Sequence, residues 1–430
     1  NEAASYKNSF MNINNNLQLI NLVIVLLVLF SSCKSSIQPV ETIEEVDLYG
    51  AYQARFEVPI SNVATDIQYI RLETGEDFML NAPHLINVKD SLILFIGFQK
   101  LYIFSRYTGE FLYEISSYGR GPDQYLATTS IYDEDEDIFY VNFGNKRRDV
   151  NNNNIFRGYN FSGEVIRTVS RPCPIGSEGN LLFISRFWPL NDTLCLGYID
   201  NPEVNQSEKL VVFSNNGKSL KFYPNYNIYN GENGVFSFEG HKGMFFNAED
   251  TVRFFELHTD TIFSVSSRTI QSRYHIIMGD LLLPYQLRAA KFSEYLNYFH
   301  IRNMHESSRF LMFSAGIYGT RYIVIYDKIQ KRTMVCDAPD DHDFYKFEDF
   351  YGIRCMGFFN DLDNFIPIGT DKHFYINKDD EFVTAIPALE VRRWFDLNPE
   401  KAAKLPEHLQ SFRDINAEDN PVIVVAKLKK

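Results

Sequence analysis

Past residue 60 the chain alternates short apolar runs with polar turns, and one phrase keeps returning. A turn containing Asp leads into a short apolar strand at residues 90–95, 137–141, 192–196 and 250–255. A weaker copy opens at Ser308 and a sixth at Asp363, the copies standing about 47 to 58 residues apart. Asp in such a turn bonds its own backbone, and the apolar run behind it fits a buried strand. Each copy is followed by a hairpin. The first three, at 101–115, 155–169 and 210–223, turn at Gly109, Gly163 and Gly217, where a tight turn calls for positive φ. The next two, at 261–277 and 322–335, turn without Gly. The sixth, at 373–386 around Lys378-Asp379-Asp380-Glu381, is weaker and reads as an excursion.

Two hairpins per repeat make about four strands, the signature of propeller blades, and six copies make six blades. The predicted fold is therefore all-β, a six-bladed β-propeller. A ring must close, and two orphan strands remain for it: 66–72 (DIQYIRL) and 422–428 (VIVVAKL). Pairing them in the last blade removes two exposed edges at once. Short helical insertions are predicted at 284–297, and at 388–410 in pieces broken by Pro399 and Pro406.

Composition changes this picture little. Aromatic residues make up 15% of the 430 positions, which favours strands and supplies a large core. The net charge of -13 argues against nucleic acid as a partner.

The start of the chain reads as an address. Residues 19–30 (LINLVIVLLVLF) are too short for a comfortable membrane span and fit the apolar region of a secretory signal. Phe30-Ser31-Ser32-Cys33 follows and resembles a bacterial lipobox, with Phe30 where Leu is commoner and only Lys7 as a basic residue upstream. This gives a signal peptide with lipobox over 1–33, lipidation at Cys33, a tether over 34–60 and the propeller over 61–430. No acidic run follows Cys33, so surface export is not signalled and a periplasm-facing outer-membrane anchor is expected.

Residues 60–430 resemble the six-bladed β-propeller lipoproteins of Bacteroides-type bacteria, an NHL/TolB-like group. The carrying residues are Tyr69-Ile70-Arg71-Leu72-Glu73-Thr74, then Gly119-Arg120-Gly121-Pro122-Asp123-Gln124-Tyr125, then Glu418-Asp419-Asn420-Pro421-Val422. The family's loop more often reads Gly-Arg-Gly-Pro-Gly-Glu-Tyr, so Asp123-Gln124 is a departure. The resemblance implies the fold and the envelope address, and little about activity.

Candidate chemistry is sparse. Arg120 offers a planar fork for a carboxylate or other anion, and Gly119, Gly121 and Pro122 shape the loop around it. The structural alternative has the loop serving only as a crossover between blades. Asp133-Glu134-Asp135-Glu136-Asp137 lacks the Gly and Glu of a calcium loop and reads as a solvated turn. The acidic loop at 337–343 also lacks metal-ligand spacing, and no metal or cofactor is expected. Cys173, Cys195, Cys336 and Cys355 read as buried thiols or as two local disulfides. Asp-Ser/Thr-apolar triplets at Ser91, Thr193, Thr251 and Thr261 match turns and, by the resemblance, an O-glycosylation acceptor. The functional expectation is a lipid-anchored envelope module that binds or scaffolds a protein or small-molecule ligand. The alternative is a hydrolase or lactonase-like enzyme with its site in the central channel.

Overall fold

In the computed structural model the described residues are 42–80, 85–96, 101–115, 131–143, 155–176, 179, 181–200, 206–227, 243–248, 251–285, 287, 296–338, 346–348, 354–369 and 374–430. Residues 43–430 form one compact unit, a six-bladed β-propeller. Blade 1 holds Leu85–Lys89, Leu92–Ile96, Leu101–Ser105 and Phe111–Glu114. Blade 2 holds Ile131–Asp133, Ile138–Phe143, Ile155–Tyr159 and Val165–Ser170. Blade 3 holds Phe183–Pro189, Leu194–Asp200, Glu208–Ser214 and Ser219–Pro224. Blade 4 holds Gly243–Ala248, Thr251–Glu256, Thr261–Val265 and Ile270–Ile277. Blade 5 holds His300–Glu306, Phe310–Ile317, Thr320–Asp327 and Arg332–Val335, with the short strands Lys346–Glu348 and Arg354–Met356 added beside Thr320–Asp327. Blade 6 is built from Tyr375–Ile376, Glu381–Ile386, Val422–Leu428 and Ala64–Arg71.

The first strands of neighbouring blades pack against one another, as blade 3 does on 4, 4 on 5, 5 on 6 and 6 on 1. They are the innermost strands and line the channel. The Asp turns join first strand to second, and Asp90 (φ 47°) and Asp137 (φ 56°) adopt the left-handed conformation that Asp tolerates. Gly109, Gly163 and Gly217 turn the outer hairpins at φ 74°, 79° and 81°. The blade 5 hairpin uses Lys331 at φ 52° instead.

The sixth copy is not at Asp363. Residues around Asp363 form a loop pinned by isolated bridges, Phe358 with Ile368 and Phe359 with Pro59, with Asn360 donating to Asp363. The inner turn of blade 6 is Asn377–Asp380, with Asp380 at φ 58°. The hairpin read as an excursion is thus the blade's inner pair.

Closure follows the expected pairing. Ala64–Arg71 runs antiparallel to Val422–Leu428, from Ala64 opposite Leu428 to Arg71 opposite Val422. Val422–Leu428 is apolar on both faces because it is interior. Val422, Val424, Ala426 and Leu428 join the core shared with blade 5 and the C-terminal helices, while Ile423 and Val425 join the core shared with blade 1. Burying one such Val, Ile or Leu stabilises by about 1.5–3 kcal/mol. The helix Ala388–Leu397 adds Val391, Trp394 and Phe395, at helical spacing, to the first of these cores. Pro399–Ala402 and Glu407–Gln410 follow as separate helical pieces. The insertion expected at 284–297 falls mostly outside the described residues.

The folded unit begins before the expected boundary of residue 61. Glu44–Asp47 adds to the edge of blade 4 as a fifth strand, parallel to Ile270–Ile277, from Glu44 opposite Tyr274 to Asp47 opposite Ile277. Val46 is buried in the core between blades 4 and 5. Glu44 takes ion pairs from Arg273 (2.9 Å) and Lys331 (2.6 Å) and a hydrogen bond from the Tyr326 hydroxyl (2.9 Å). Asp47 then caps the helix Leu48–Gln53 by accepting from the Gly50 amide at 2.8 Å. The run EEVD reads as polar tether because its partners lie more than 200 residues away.

Candidate functional site in the channel wall

Arg120, Gly119, Gly121, Pro122 and Cys33 lie outside the described residues. The acidic run 133–137 is described, and it is not a solvated turn. Asp133 and Glu134 are buried, and blade 6 reaches Glu134. Glu134 accepts from the Lys378 amide (2.7 Å) and the Tyr375 hydroxyl (2.8 Å), and the Lys378 ammonium returns to the Glu134 carbonyl at 3.0 Å. Asp137 pairs with Lys89 of blade 1 and accepts from the Tyr132 hydroxyl at 2.9 Å. Glu136 pairs with Arg167 of its own blade. Burial raises the Glu134 carboxyl above its ordinary value, against the lowering effect of its two hydrogen bonds. Burial and the nearby carboxylates push the Tyr375 and Tyr132 hydroxyls well up. The His305 ring of blade 5 lies 4.9 Å from the Tyr375 ring. Carboxylate, Tyr and His thus converge from three blades, but Glu134 is occupied on both oxygens by the groups that hold blades 2 and 6 together. The cluster is a clamp.

The same arrangement recurs round the ring. Glu256 of blade 4 accepts from the Tyr198 hydroxyl (2.8 Å) and pairs with Lys209, both of blade 3. Glu306 of blade 5 meets Arg253 (3.1 Å) and the Tyr274 hydroxyl (2.7 Å) of blade 4, and Lys328 (3.0 Å) of its own. Glu381 of blade 6 holds Arg106 of blade 1 through two contacts of 2.8 and 3.2 Å. Ser308 of blade 5 donates to Asp380 of blade 6 at 2.7 Å from both its amide and its hydroxyl.

Three polar groups of the innermost strands stand apart from these ties. Asn87 of blade 1 is 2% exposed, and among the described residues neither its carboxamide oxygen nor its nitrogen finds a hydrogen-bonding partner. The Ser185 hydroxyl of blade 3, in a residue 6% exposed, is likewise unpaired. Arg186 is packed deeply yet keeps part of its surface open, and it meets no acceptor among the described residues. Burial lowers its guanidinium from the ordinary value, with the nearby Tyr198 opposing. A buried polar group without a partner is costly, which sets these positions apart from the rest of the wall. Sequence reading passed over them. The available signal was a Ser-Arg pair inside the otherwise apolar strand FISRFWP.

The remaining candidates are structural or lie elsewhere. Asp337 pairs with Arg55 at 2.9 Å, and residues 339–343 are outside the described set. No disulfide joins Cys173, Cys195, Cys336 and Cys355, and all but Cys173 are buried. Thr251 donates to the Ala248 carbonyl (3.1 Å) and Thr261 to Asp260 (2.8 Å), as turn residues do. Among the described residues no three His, Cys, Asp or Glu side chains group as a metal site.

A family model described as a domain of unknown function (DUF4934) matches residues 43–427. No curated protein matches the chain. Among solved structures, a Bacteroides fragilis protein described as exported is 17% identical, with 90% of this chain and 100% of that chain covered at a TM-score of 0.61. That likeness supports the fold. The extracellular domain of a Bacteroides thetaiotaomicron protein described as a one-component system is 11% identical, covering 74% of this chain and 39% of that one at a TM-score of 0.36. At that score it adds nothing further.

Proposed function

The chain belongs to the DUF4934 family, and from that premise we propose that it is a lipid-anchored propeller of the cell envelope that binds a protein or small-molecule ligand at its central channel. The observation that carries this reading is the set of polar groups Asn87, Ser185 and Arg186, without a hydrogen-bonding or ion-pair partner among the described residues, on the innermost strands of a ring in which several buried carboxylates are tied between blades. The address rests on the Cys33 lipobox and on a similar fold in a protein described as exported.

Affinity capture from solubilised envelope with the full chain, followed by mass spectrometry, tests the binding role. An enriched partner or co-purifying small molecule is expected, and its absence under retained fold counts against the proposal. Arg120→Ala is expected to leave capture intact, as a crossover loop requires. Cys33→Ser is expected to move the protein from the detergent to the aqueous phase in phase partition. A variant that stays with the detergent sinks the anchor.

A further inference from the structure

The innermost strand of blade 3, Phe183–Pro189, is irregular. Ile184 stands opposite Ile199 and Arg186 opposite Tyr198, so Ser185 is an extra residue with no place in the ladder. A bulge of this kind bends the strand and re-aims the side chains beside it. Arg186 then shares a strand face with Trp188, two residues on, and with Tyr198 across the ladder. Tyr198 and Trp188 pack in the junction between blades 3 and 4, so this face looks towards blade 4.

What surrounds Arg186 is unusual for this chain. Acidic residues outnumber basic ones, 55 to 42, and five other enclosed arginines find carboxylates. Arg106 meets Glu381, Arg167 meets Glu136, Arg253 meets Glu306, Arg273 meets Glu44 and Arg309 meets Asp327. Arg186 meets none among the described residues, and the Tyr198 hydroxyl opposite it is already given to Glu256. Beside it the Trp188 indole is fixed by donating to the Asn247 side chain at 2.9 Å, with the Phe245 ring at 6.5 Å. A guanidinium with no carboxylate among the described residues, the bulged Ser185 beside it and a fixed aromatic wall thus adjoin on one strand.

Building on the binding role proposed above, we infer that Arg186 anchors an organic-anion site at the junction of blades 3 and 4. The guanidinium takes a carboxylate on its fork, with the neighbouring Ser185 hydroxyl as the second polar group. The apolar body of the ligand lies against Trp188 and Phe245. A planar fork matches two carboxylate oxygens in a way an ammonium does not.

Trp188 is one of only two tryptophans, and the other, Trp394, is buried against the blade 6 core. Tryptophan emission of the full chain is titrated with benzoate, acetate and inorganic phosphate at constant ionic strength. Wild type is expected to respond saturably to benzoate, more weakly to acetate, and less to phosphate than to benzoate. Arg186→Met is expected to weaken benzoate at least tenfold, and Arg186→Lys to give an intermediate loss. Without ligand, Arg186→Met is expected to melt at or above wild type, since it removes a desolvated charge with no partner. An unchanged benzoate curve in Arg186→Met, no saturable response in wild type, or tighter phosphate than benzoate overturns the inference. So does a fall in melting temperature on removing Arg186, which would make it structural. A wild type that captures an envelope partner but ignores benzoate loses this inference alone. One that binds benzoate through Arg186 yet captures nothing loses only the envelope role.

Discussion

Glu306 and Glu134 are both buried carboxylates, and their surroundings drive them in opposite directions. Burial alone would raise Glu306, but Arg253, Lys328 and the Tyr274 hydroxyl hold it below its ordinary value. Its contribution is therefore present above the unfolded value of about 4.3 and is lost as pH falls through the folded one. Glu134 is raised instead. Its contribution is present below the unfolded value and is lost as pH rises through the folded one. Glu306→Gln leaves two cations facing a neutral amide, and urea unfolding at neutral pH should show a loss of about 3–5 kcal/mol. Glu134→Gln keeps a carbonyl for the Lys378 amide and loses a charge that burial disfavours. It should cost far less, and its stability should decline less than that of wild type as pH rises from about 4 to 6. Equal losses in the two variants would refute this division.

At the level of elements, the outer turns of the blades differ in what they touch. Gly109, Gly163 and Gly217 all have positive φ, but of the three only Gly109 is so placed that an added methyl group would run into a backbone carbonyl at bonding range, that of Arg71 in blade 6. The Gly109 carbonyl also accepts from the Glu73 amide at 2.8 Å, and Glu73 accepts from the Phe111 amide at 2.9 Å. Gly109→Ala should thus destabilise by more than the roughly 1–2 kcal/mol that left-handed backbone costs an L-residue. Gly163→Ala, whose nearest neighbour is the Ile115 carbonyl at 3.4 Å, should stay near that figure. Similar thermal shifts in the two variants would contradict the docking of blade 1 on blade 6. These turns were legible in the sequence because only a few residue types accept their backbone. The same logic misled at Asp363. Asn364 there also has positive φ (61°), so the loop carries the local mark of a blade turn without the strands. The true turn at Asp380 follows an inner strand of two residues, Tyr375–Ile376, too short to show a pattern.

At the scale of the whole molecule, the ring is closed by strands from the two ends of the propeller, and the closing strand is interior to its blade. Deleting residues from Val422 onward removes the strand that links Glu381–Ile386 to Ala64–Arg71. It also opens both neighbouring cores, so the truncated protein should lose its cooperative melting transition. A wild-type melting curve would contradict the closure. Alternating apolar strands and a period near 55 residues made ring and closure readable from sequence. The channel wall was not readable, since what distinguishes Arg253 from Arg186 is a carboxylate that Arg253 meets and Arg186 does not among the described residues. That depends on which residues the ring brings together.

The chain enters the propeller at one blade and closes it at another. Glu44–Asp47 lies on blade 4, whereas Ala64–Arg71 completes blade 6. Tension applied to the chain ahead of Glu44 is therefore borne first by four residues in parallel register with Ile270–Ile277 and by the ion pairs of Glu44, not by the seam. Parallel pairing loaded along the strand resists as a row of bonds sharing the force, where an unzipping edge would yield one at a time. On the anchor proposed above, the segment would act as a strain relief, like the clamp on a cable where it enters a housing, taking a pull before the ring does.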